Sequence, residues 1–122
     1  MSVIIGERCK RVVRTEHNKL VRDRIPEIIR ESGAQPSAYV LGDKARLLVL
    51  LDKLLEETKE LHDAVVNDAD VIGERADVAE VLLALDNELD LSQEKVEKTR
   101  RDKADARGGF KKGIFLEYVD EP

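Results

Sequence analysis

The sequence predicts an all-α protein built around an antiparallel hairpin of two long helices. Leu, Val, Ala, Glu, Lys and Arg dominate the 122 residues, and aromatic residues make up only 3%, which is typical of helical proteins rather than of sandwiches or barrels. Apolar residues in 44–66 and in 71–88 recur with the spacing of amphipathic helices. The polar turn 67–70 between them is so short that the second helix must fold back against the first.

The two ends of the chain are predicted to be short extended segments. Residues 1–17 are expected to form an N-terminal extension or arm, ahead of a single helical domain at 18–122. The β-prone runs 3–5 and 12–13 favour a loose hairpin or an extended arm. At the other end, residues 113–119 favour a short strand or an extended tail.

Between these ends the chain carries signals for four helices. Pro26 suits the first position of a short helix, and Gly33 suits its end. Three longer helices are predicted at 44–66, 71–88 and 93–106. Each is preceded by a residue whose side chain can accept hydrogen bonds from the first turn, and these residues are Asp43, Asp70 and Ser92. The helix at 93–106 has so few apolar residues that it either frays or lies over a partner.

The two central helices carry apolar stripes that predict how they pack. The stripe of the first consists of Leu47, Leu51, Leu54, Leu61 and Val65. The stripe of the second consists of Ile72, Val78, Val81, Leu82 and Leu85. Because one hairpin buries only part of its apolar surface, we expect another copy to pack against it and complete a four-helix bundle by oligomerisation.

Charge and cysteine content exclude several classes of protein. The 26 acidic and 21 basic residues give a net charge of -5, which argues against binding to a nucleic-acid polymer. Basic residues cluster at 8–24 and 95–112. This arrangement suits a metal–phosphate ligand, and the alternative is that both segments are solvated surfaces. Cys9 is the only cysteine, so a disulfide framework and a zinc knuckle are excluded. No apolar run is long enough to cross a bilayer, and a signal peptide is not expected, so we predict a cytoplasmic protein without a membrane partner.

Two acidic pairs with i, i+3 spacing, Glu57/Glu60 and Glu74/Asp77, lie along the apolar stripes of the central helices. Carboxylates gathered at a helix–helix seam repel one another and lose hydration unless cations or protons compensate them. A divalent metal ion is the simplest compensator, and oxygen-only ligands favour Mg²⁺, with Mn²⁺ as the alternative. Such ions promote hydrolysis of phosphoanhydrides. In the competing interpretation, Glu60, Glu74 and Asp77 are solvated. They are then paired with nearby basic residues, namely Lys53, Lys59 or Arg75.

The acidic pattern resembles that of the all-α nucleoside triphosphate pyrophosphohydrolases, the MazG-like and phosphoribosyl-ATP pyrophosphohydrolase-like group. The family pattern Glu-Glu-x-x-Glu, a spacer and Glu-x-x-Asp is matched by residues 56–60, thirteen intervening residues and residues 74–77. Residues 18–26 (Asn-Lys-Leu-Val-Arg-Asp-Arg-Ile-Pro) and 107–110 (Arg-Gly-Gly-Phe) resemble a subgroup. The resemblance covers most of the chain, from about residue 18 to residue 116.

This resemblance implies a Mg²⁺-dependent enzyme that cleaves between the α and β phosphates of a nucleoside triphosphate, giving a monophosphate and pyrophosphate. It implies that Glu57, Glu60, Glu74 and Asp77 are the metal ligands and that the protein is a homodimer or homotetramer. One alternative is the phosphoribosyl-ATP pyrophosphohydrolase of histidine biosynthesis. Another is a non-catalytic helical module that binds a metal or a nucleotide.

Several further residues are candidates for contact with the nucleotide. Lys19, Arg22 and Arg24 can neutralise triphosphate charge, and arginine offers bidentate contacts. Arg107, before two glycines, can hold a phosphate or a base from a loop, or can simply end a helix. Glu56 is the candidate catalytic residue. We expect it to orient a metal ligand or to help deprotonate the attacking water. The alternative is that Glu56 is a plain surface glutamate.

Overall fold

The computed structural model describes residues 11–122, which contain four helices. These are α1 (Ile25–Glu31), α2 (Asp43–Val66), α3 (Val71–Glu88) and α4 (Gln93–Arg107). Since the described residues include no strand, the all-α prediction is confirmed. Residues 12–13 and 113–119 form neither helix nor strand. The β-prone run 3–5 lies outside the described residues, and the division into a 1–17 extension and an 18–122 domain stays a prediction.

α1 is a single short helix that begins one residue before Pro26, the predicted first position. Pro26 lies in its first turn, where a missing N–H leaves no hydrogen bond unmade. Gly33, two residues past its end, has φ 94°, a backbone conformation that glycine adopts without steric cost. Leu20, just before α1, packs against the hairpin core and so anchors this segment on α2 and α3.

The turn between α2 and α3 is fixed by a side-chain cap. The Asp70 carboxylate accepts a hydrogen bond of 2.9 Å from the Gly73 backbone N–H, as predicted for an N-cap residue. A Cβ atom at residue 73 would overlap this carboxylate, so the close approach requires glycine. The start of α2 differs from the prediction by one residue. Gly42 is its N-cap and Asp43 is already helical, where its charge favours the positive end of the helix dipole.

The hydrophobic core lies in the seam between α2 and α3, the two helices that pack extensively against each other in the described chain. Leu50, Val81 and Leu85 form its buried centre, and Leu20, Leu47, Leu54 and Ala84 pack around them. At the open end of the hairpin, the Arg46 guanidinium bonds Glu88 at 3.0 Å and the Leu41 carbonyl at 2.9 Å. This contact joins the start of α2 to the end of α3.

The predicted stripes were partly wrong, because the seam runs along a neighbouring face of each helix. Leu51, Val65 and Ile72 are 44%, 60% and 85% exposed. On α2 the buried positions are Leu50, Glu57 and Ala64, which recur every seven residues. A sequence with leucines on two adjacent faces leaves two registers open, and packing against α3 selects this one.

α4 is a polar helix whose contacts are mostly within itself. It begins after Ser92, whose hydroxyl accepts a hydrogen bond from the Lys95 N–H at 3.3 Å, and extends one residue beyond the predicted end. Ion pairs such as Lys98–Asp102 at 2.6 Å link successive turns, and no residue of α4 is buried. In the part of the chain that the structure describes, none of the helices combines the length and apolar character needed to cross a membrane.

Candidate metal centre

The hairpin brings three of the predicted ligands together. Glu57 of α2 and Glu74 and Asp77 of α3 each place one carboxylate oxygen within 4.8 Å of the others. Glu57 is only 7% exposed, whereas Glu74 and Asp77 are half-buried. The helical repeat explains this placement, since Glu57 lies on the face of α2 that carries Leu50 and Leu54 into the seam. We call these three residues the acidic triad, and their arrangement could hold a metal ion.

Two oxygens of the triad lack hydrogen-bond partners. The Oε2 atoms of Glu57 and Glu74 are both buried and accept no hydrogen bond. A buried unsatisfied oxygen costs about 1–3 kcal/mol, and more when the group is charged. A divalent cation between these oxygens would remove that cost, and carboxylate oxygens are the ligands that hard cations prefer. The residues present therefore fit a metal ion.

Glu60, the fourth predicted ligand, lies beside the acidic triad on the exposed side of α2. Its pKa is raised first by the nearby Glu57 carboxylate, with which only a protonated Glu60 can share a hydrogen bond, then by desolvation and by the negative charges of Glu57, Glu74 and Glu56. Glu60 therefore interacts electrostatically with the triad, although it is not one of the three residues whose oxygens lie within 4.8 Å of one another. Its assignment as a ligand stays a prediction.

We expect Glu60→Gln to raise the free energy of unfolding at neutral pH in the absence of metal. The gain is about 0.2–0.5 kcal/mol for each acidic neighbour whose repulsion with Glu60 is removed. The raised pKa means that folding favours the protonated carboxyl. The contribution of Glu60 to stability is therefore complete below its pKa in the unfolded chain. This contribution is lost as pH rises through the pKa of Glu60 in the folded chain. The gain should vanish in acid. Urea unfolding at several pH values in a chelator would measure it, with Glu80→Gln, an exposed position on α3, as the control.

Lys53, predicted only as a partner of solvated carboxylates, lies within the site. Its ammonium lies 3.1 Å from Glu57 and 3.3 Å from Glu56, and its side chain is 17% exposed. Desolvation opposes its charge, but hydrogen bonds and charge interactions with Glu57 and Glu56 outweigh this and raise the pKa of Lys53. The i, i+4 spacing of Lys53 and Glu57 was the signal for this contact.

The candidate catalytic residue Glu56 is half-buried at the edge of the site. Its Oε1 atom accepts a hydrogen bond of 3.3 Å from Lys53, which also binds Glu57. Lys53 thus bridges the two adjacent glutamates and fixes Glu56 relative to the acidic triad. Glu56 is not a member of the triad, and its catalytic role stays a prediction.

Arg22 is the predicted substrate-binding residue that the structure brings to the acidic triad. Its Nη2 atom donates a hydrogen bond of 2.7 Å to Asp77 Oδ1, across 55 positions of sequence. Both side chains are substantially exposed. The Leu20 anchor on the hairpin core positions this segment, so a cationic group lies at the solvent side of the cluster.

The other predicted substrate contacts are placed differently. Arg24, the residue just before α1, pairs with Glu27 of that helix at 3.2 Å. Lys19 is exposed next to the anchored Leu20. Arg107 is the exposed last residue of α4, on a helix that makes no extensive contact with α2 or α3 in the described chain. The structure therefore groups Arg22, and not these three, with the triad.

An open hollow of about 270 Å³ adjoins the acidic triad. It is lined by Glu60, Asp63, Ala64, Asn67, Ala69 and Glu74. Pockets for small organic ligands usually enclose about 300–1,000 Å³, which is more than this hollow offers. One chain therefore provides an acidic depression for cations and their hydration shells, without the walls that would enclose a nucleobase.

Comparison with known proteins gives a partial match. An uncharacterized protein of Mycolicibacterium smegmatis is 47% identical over 57 residues, which cover 47% of this chain and 58% of that protein. No family model matches the chain, and no solved structure matches it. Because the relative carries no stated activity, the similarity assigns none to this chain.

Proposed function

We propose that this protein is a metal-dependent nucleotide pyrophosphohydrolase that cleaves the α–β phosphoanhydride of a nucleoside triphosphate. The observation that carries the proposal is the acidic triad, in which two buried carboxylate oxygens of Glu57 and Glu74 lack partners. A cationic residue, Arg22, lies directly beside it. Cation ligands next to a guanidinium are the groups that recognise and polarise a phosphate chain.

Mg²⁺ is the proposed cofactor, with Mn²⁺ as a substitute. The triad consists of carboxylates alone, and hard divalent ions prefer oxygen ligands. When bound, such an ion would polarise phosphoryl oxygens and lower the pKa of a coordinated water. Glu57, Glu74 and Asp77 would hold it, with Glu60 as a fourth ligand on the solvent side.

The remaining side chains would position substrate and move a proton. Arg22 would exchange Asp77 for a phosphate oxygen when a cation takes over that carboxylate, since both partners of the ion pair are exposed. Glu56, held by Lys53, would accept a proton from the attacking water. Lys19, Arg24 and Arg107 would contribute positive charge around the phosphates only after rearrangement or from another copy.

The choice of the α–β bond rests on the resemblance to the MazG-like group. The three triad residues coincide with ligand positions of that family pattern, and Arg22 lies in the segment 18–26 that resembles its subgroup. Phosphoribosyl-ATP is the substrate of the nearest alternative within the same chemistry. A nucleotide substrate is consistent with the proposed cytoplasmic location.

A non-catalytic helical module that binds a metal or nucleotide is a second candidate. It is favoured by the ion pairs that Lys53 and Arg22 already make with Glu57 and Asp77, because these neutralise part of the cluster without a metal ion. The small open hollow beside the triad also lacks the walls of a nucleobase pocket.

We further propose that two hairpins pack together as a four-helix bundle, giving a homodimer or a homotetramer. Leu48, Leu51 and Leu55 of α2 are all exposed, and on a helix they fall within about 60° of one another. They form a second apolar stripe, next to the one that packs on α3. A helix with two apolar stripes needs two partners, and a second hairpin supplies the missing one.

The proposal is tested by incubating the full chain with a panel of ribo-, deoxy- and modified nucleoside triphosphates and Mg²⁺, and separating the products. Equal amounts of monophosphate and pyrophosphate, lost in the Glu74→Gln variant and retained in Glu80→Gln, are expected. Release of diphosphate and inorganic phosphate would contradict the bond assignment. Turnover of phosphoribosyl-ATP alone would identify the histidine-pathway alternative. Metal binding without turnover of any substrate would support the non-catalytic module.

A further inference from the structure

The C-terminal segment 110–119, here called the tail, is an apolar segment that its own chain leaves uncovered. Its large apolar side chains are between 65% and 99% exposed, and they are Phe110, Ile114, Phe115, Leu116, Tyr118 and Val119. In an extended chain, Ile114, Leu116 and Tyr118 point to the same side. Within the described residues, the backbone N–H groups of 114–119 donate no backbone hydrogen bond. Exposed apolar surface of this kind is typical of interaction sites.

α3 carries an apolar stripe on the side that faces away from α2. Its members are exposed and fall within about 60° of one another on the helix, and they are Ile72, Ala76, Ala79 and Leu83. We call this surface the α3 outer stripe. It is about 17 Å long at the rise of an α-helix, and residues 114–119 in extended form span about 17 Å as well. The two alanines between larger residues leave room for large side chains.

Charge separates the same two parts of the chain. α2 and α3 together contain eleven acidic and five basic residues, whereas residues 93–112, comprising α4 and the start of the tail, contain four acidic and eight basic residues. A basic arm is therefore attached to an acidic hairpin. Opposite charges steer such surfaces together and fix their orientation. In the described chain, α4 makes no extensive contact with its own hairpin.

A second copy of the chain offers both complementary surfaces. Its acidic hairpin matches the basic arm in charge, and its α3 outer stripe matches the tail in length. Since tail and stripe occur in every chain, two copies related by two-fold symmetry cover both surfaces at once.

We propose that the tail of one chain docks in extended form on the α3 outer stripe of a second copy, with the basic helix α4 crossing the acidic hairpin of that copy. The apolar side chains of the tail supply the buried area, and α4 supplies the charge complementarity that sets its direction. This interaction does not depend on the proposed hydrolase function, and its tests do not use activity as a readout.

Disulfide formation between two chains that carry their single cysteine at different positions tests the contact directly. Cys9 is the only cysteine, so a Cys9→Ser background gives chains with one chosen cysteine each. We expect that mixing Leu116→Cys chains with Leu83→Cys chains under mild oxidation gives more covalent dimer than either variant alone. A mixture of Leu116→Cys with Glu31→Cys, an exposed position on α1, is the control. Equal yields from both mixtures would overturn the proposal.

Sedimentation of the full chain over a range of concentrations tests the energetic contribution of the tail. We expect Leu116→Asp, or removal of residues 110–122, to raise the dissociation constant of the dimer at least about tenfold, which corresponds to about 1.4 kcal/mol. Glu117→Gln should leave it unchanged. Because Leu116 is exposed, these changes should preserve the helical circular dichroism. A monomeric full chain, or a dimer whose dissociation constant the tail variants do not alter, would overturn the proposal.

Discussion

Glu57→Gln is expected to weaken Mg²⁺ and Mn²⁺ binding by at least about 100-fold. Replacing a residue that only hydrogen-bonds a metal ligand already lowers metal affinity about 10–100-fold, and Glu57 is a ligand itself in this proposal. Glu57 is the buried member of the acidic triad and supplies one of its two unpartnered oxygens. The amide keeps the shape of the side chain but removes the charge that attracts a cation. Binding is measured with Mn²⁺ by electron paramagnetic resonance, and nucleotide turnover is expected to fall in parallel.

The fold should survive this substitution. Lys53 keeps Glu56 as a partner when the charge of Glu57 is removed, so we expect the free energy of unfolding in a chelator to change by less than about 1 kcal/mol. Glu80→Gln is the matched control, since it removes a glutamate charge from an exposed position outside the acidic triad. Normal Mn²⁺ affinity in the folded Glu57→Gln variant would refute the metal centre, and so would equal losses in the two variants.

The hairpin could be predicted from the sequence because local signals agree with tertiary packing there. The polar turn before Asp70, the capping carboxylate and the long apolar segments all specify two antiparallel helices. Glu57 could be placed in the seam for a similar reason, since its angular distance from Leu50 and Leu54 follows from the helical repeat alone. Ligand positions that share one helix face are therefore the most predictable part of this site.

Other features depend on contacts that the sequence leaves open. Leu50 and Leu51 both suit the seam, and only packing against α3 decides that Leu50 is buried. The contact of Arg22 with Asp77 joins residues far apart in sequence. Charge alone therefore predicted Lys19 and Arg24 as substrate contacts just as it predicted Arg22. Lys53 had a local signal, but on most helices a lysine four residues from a glutamate forms a solvated pair worth little. Its partial burial makes this one different.

The charge balance of the site explains how a buried acidic cluster can exist in a folded chain. Glu57 and Asp77 each have one cationic neighbour, Lys53 and Arg22, while Glu74 has an unpartnered buried oxygen. The cluster is thus partly neutralised by protein groups and retains a need for further positive charge. Such a site can fold without a metal ion and still bind one. Lys53 and Arg22 should therefore stabilise the metal-free fold and, because they compete with a metal ion for the carboxylates, lower the metal affinity.

Lys53→Met tests this balance and is expected to lower the free energy of unfolding by about 1–3 kcal/mol in a chelator. Breaking a fully buried ion pair costs about 3–5 kcal/mol, and the partial exposure of Lys53 reduces that figure. Methionine preserves the apolar stem but leaves the buried Glu57 carboxylate without a counter-charge. Because a competing cation is gone, metal affinity should rise, so saturating Mg²⁺ should restore more stability to the variant than to the unaltered protein.

Lys59→Met provides the matched control on the same helix. Lys59 pairs with Asp63 at 2.9 Å with both side chains exposed, and such surface pairs contribute about 0–1 kcal/mol. Urea unfolding of both variants, with chelator and with Mg²⁺, separates the possibilities. Equal losses in the two variants would show that Lys53 has no special role at the centre. A large loss that Mg²⁺ does not reduce would show that Lys53 supports the fold and that the carboxylates it contacts do not bind a metal ion, because a bound cation must stabilise a site whose internal counter-charge has been removed.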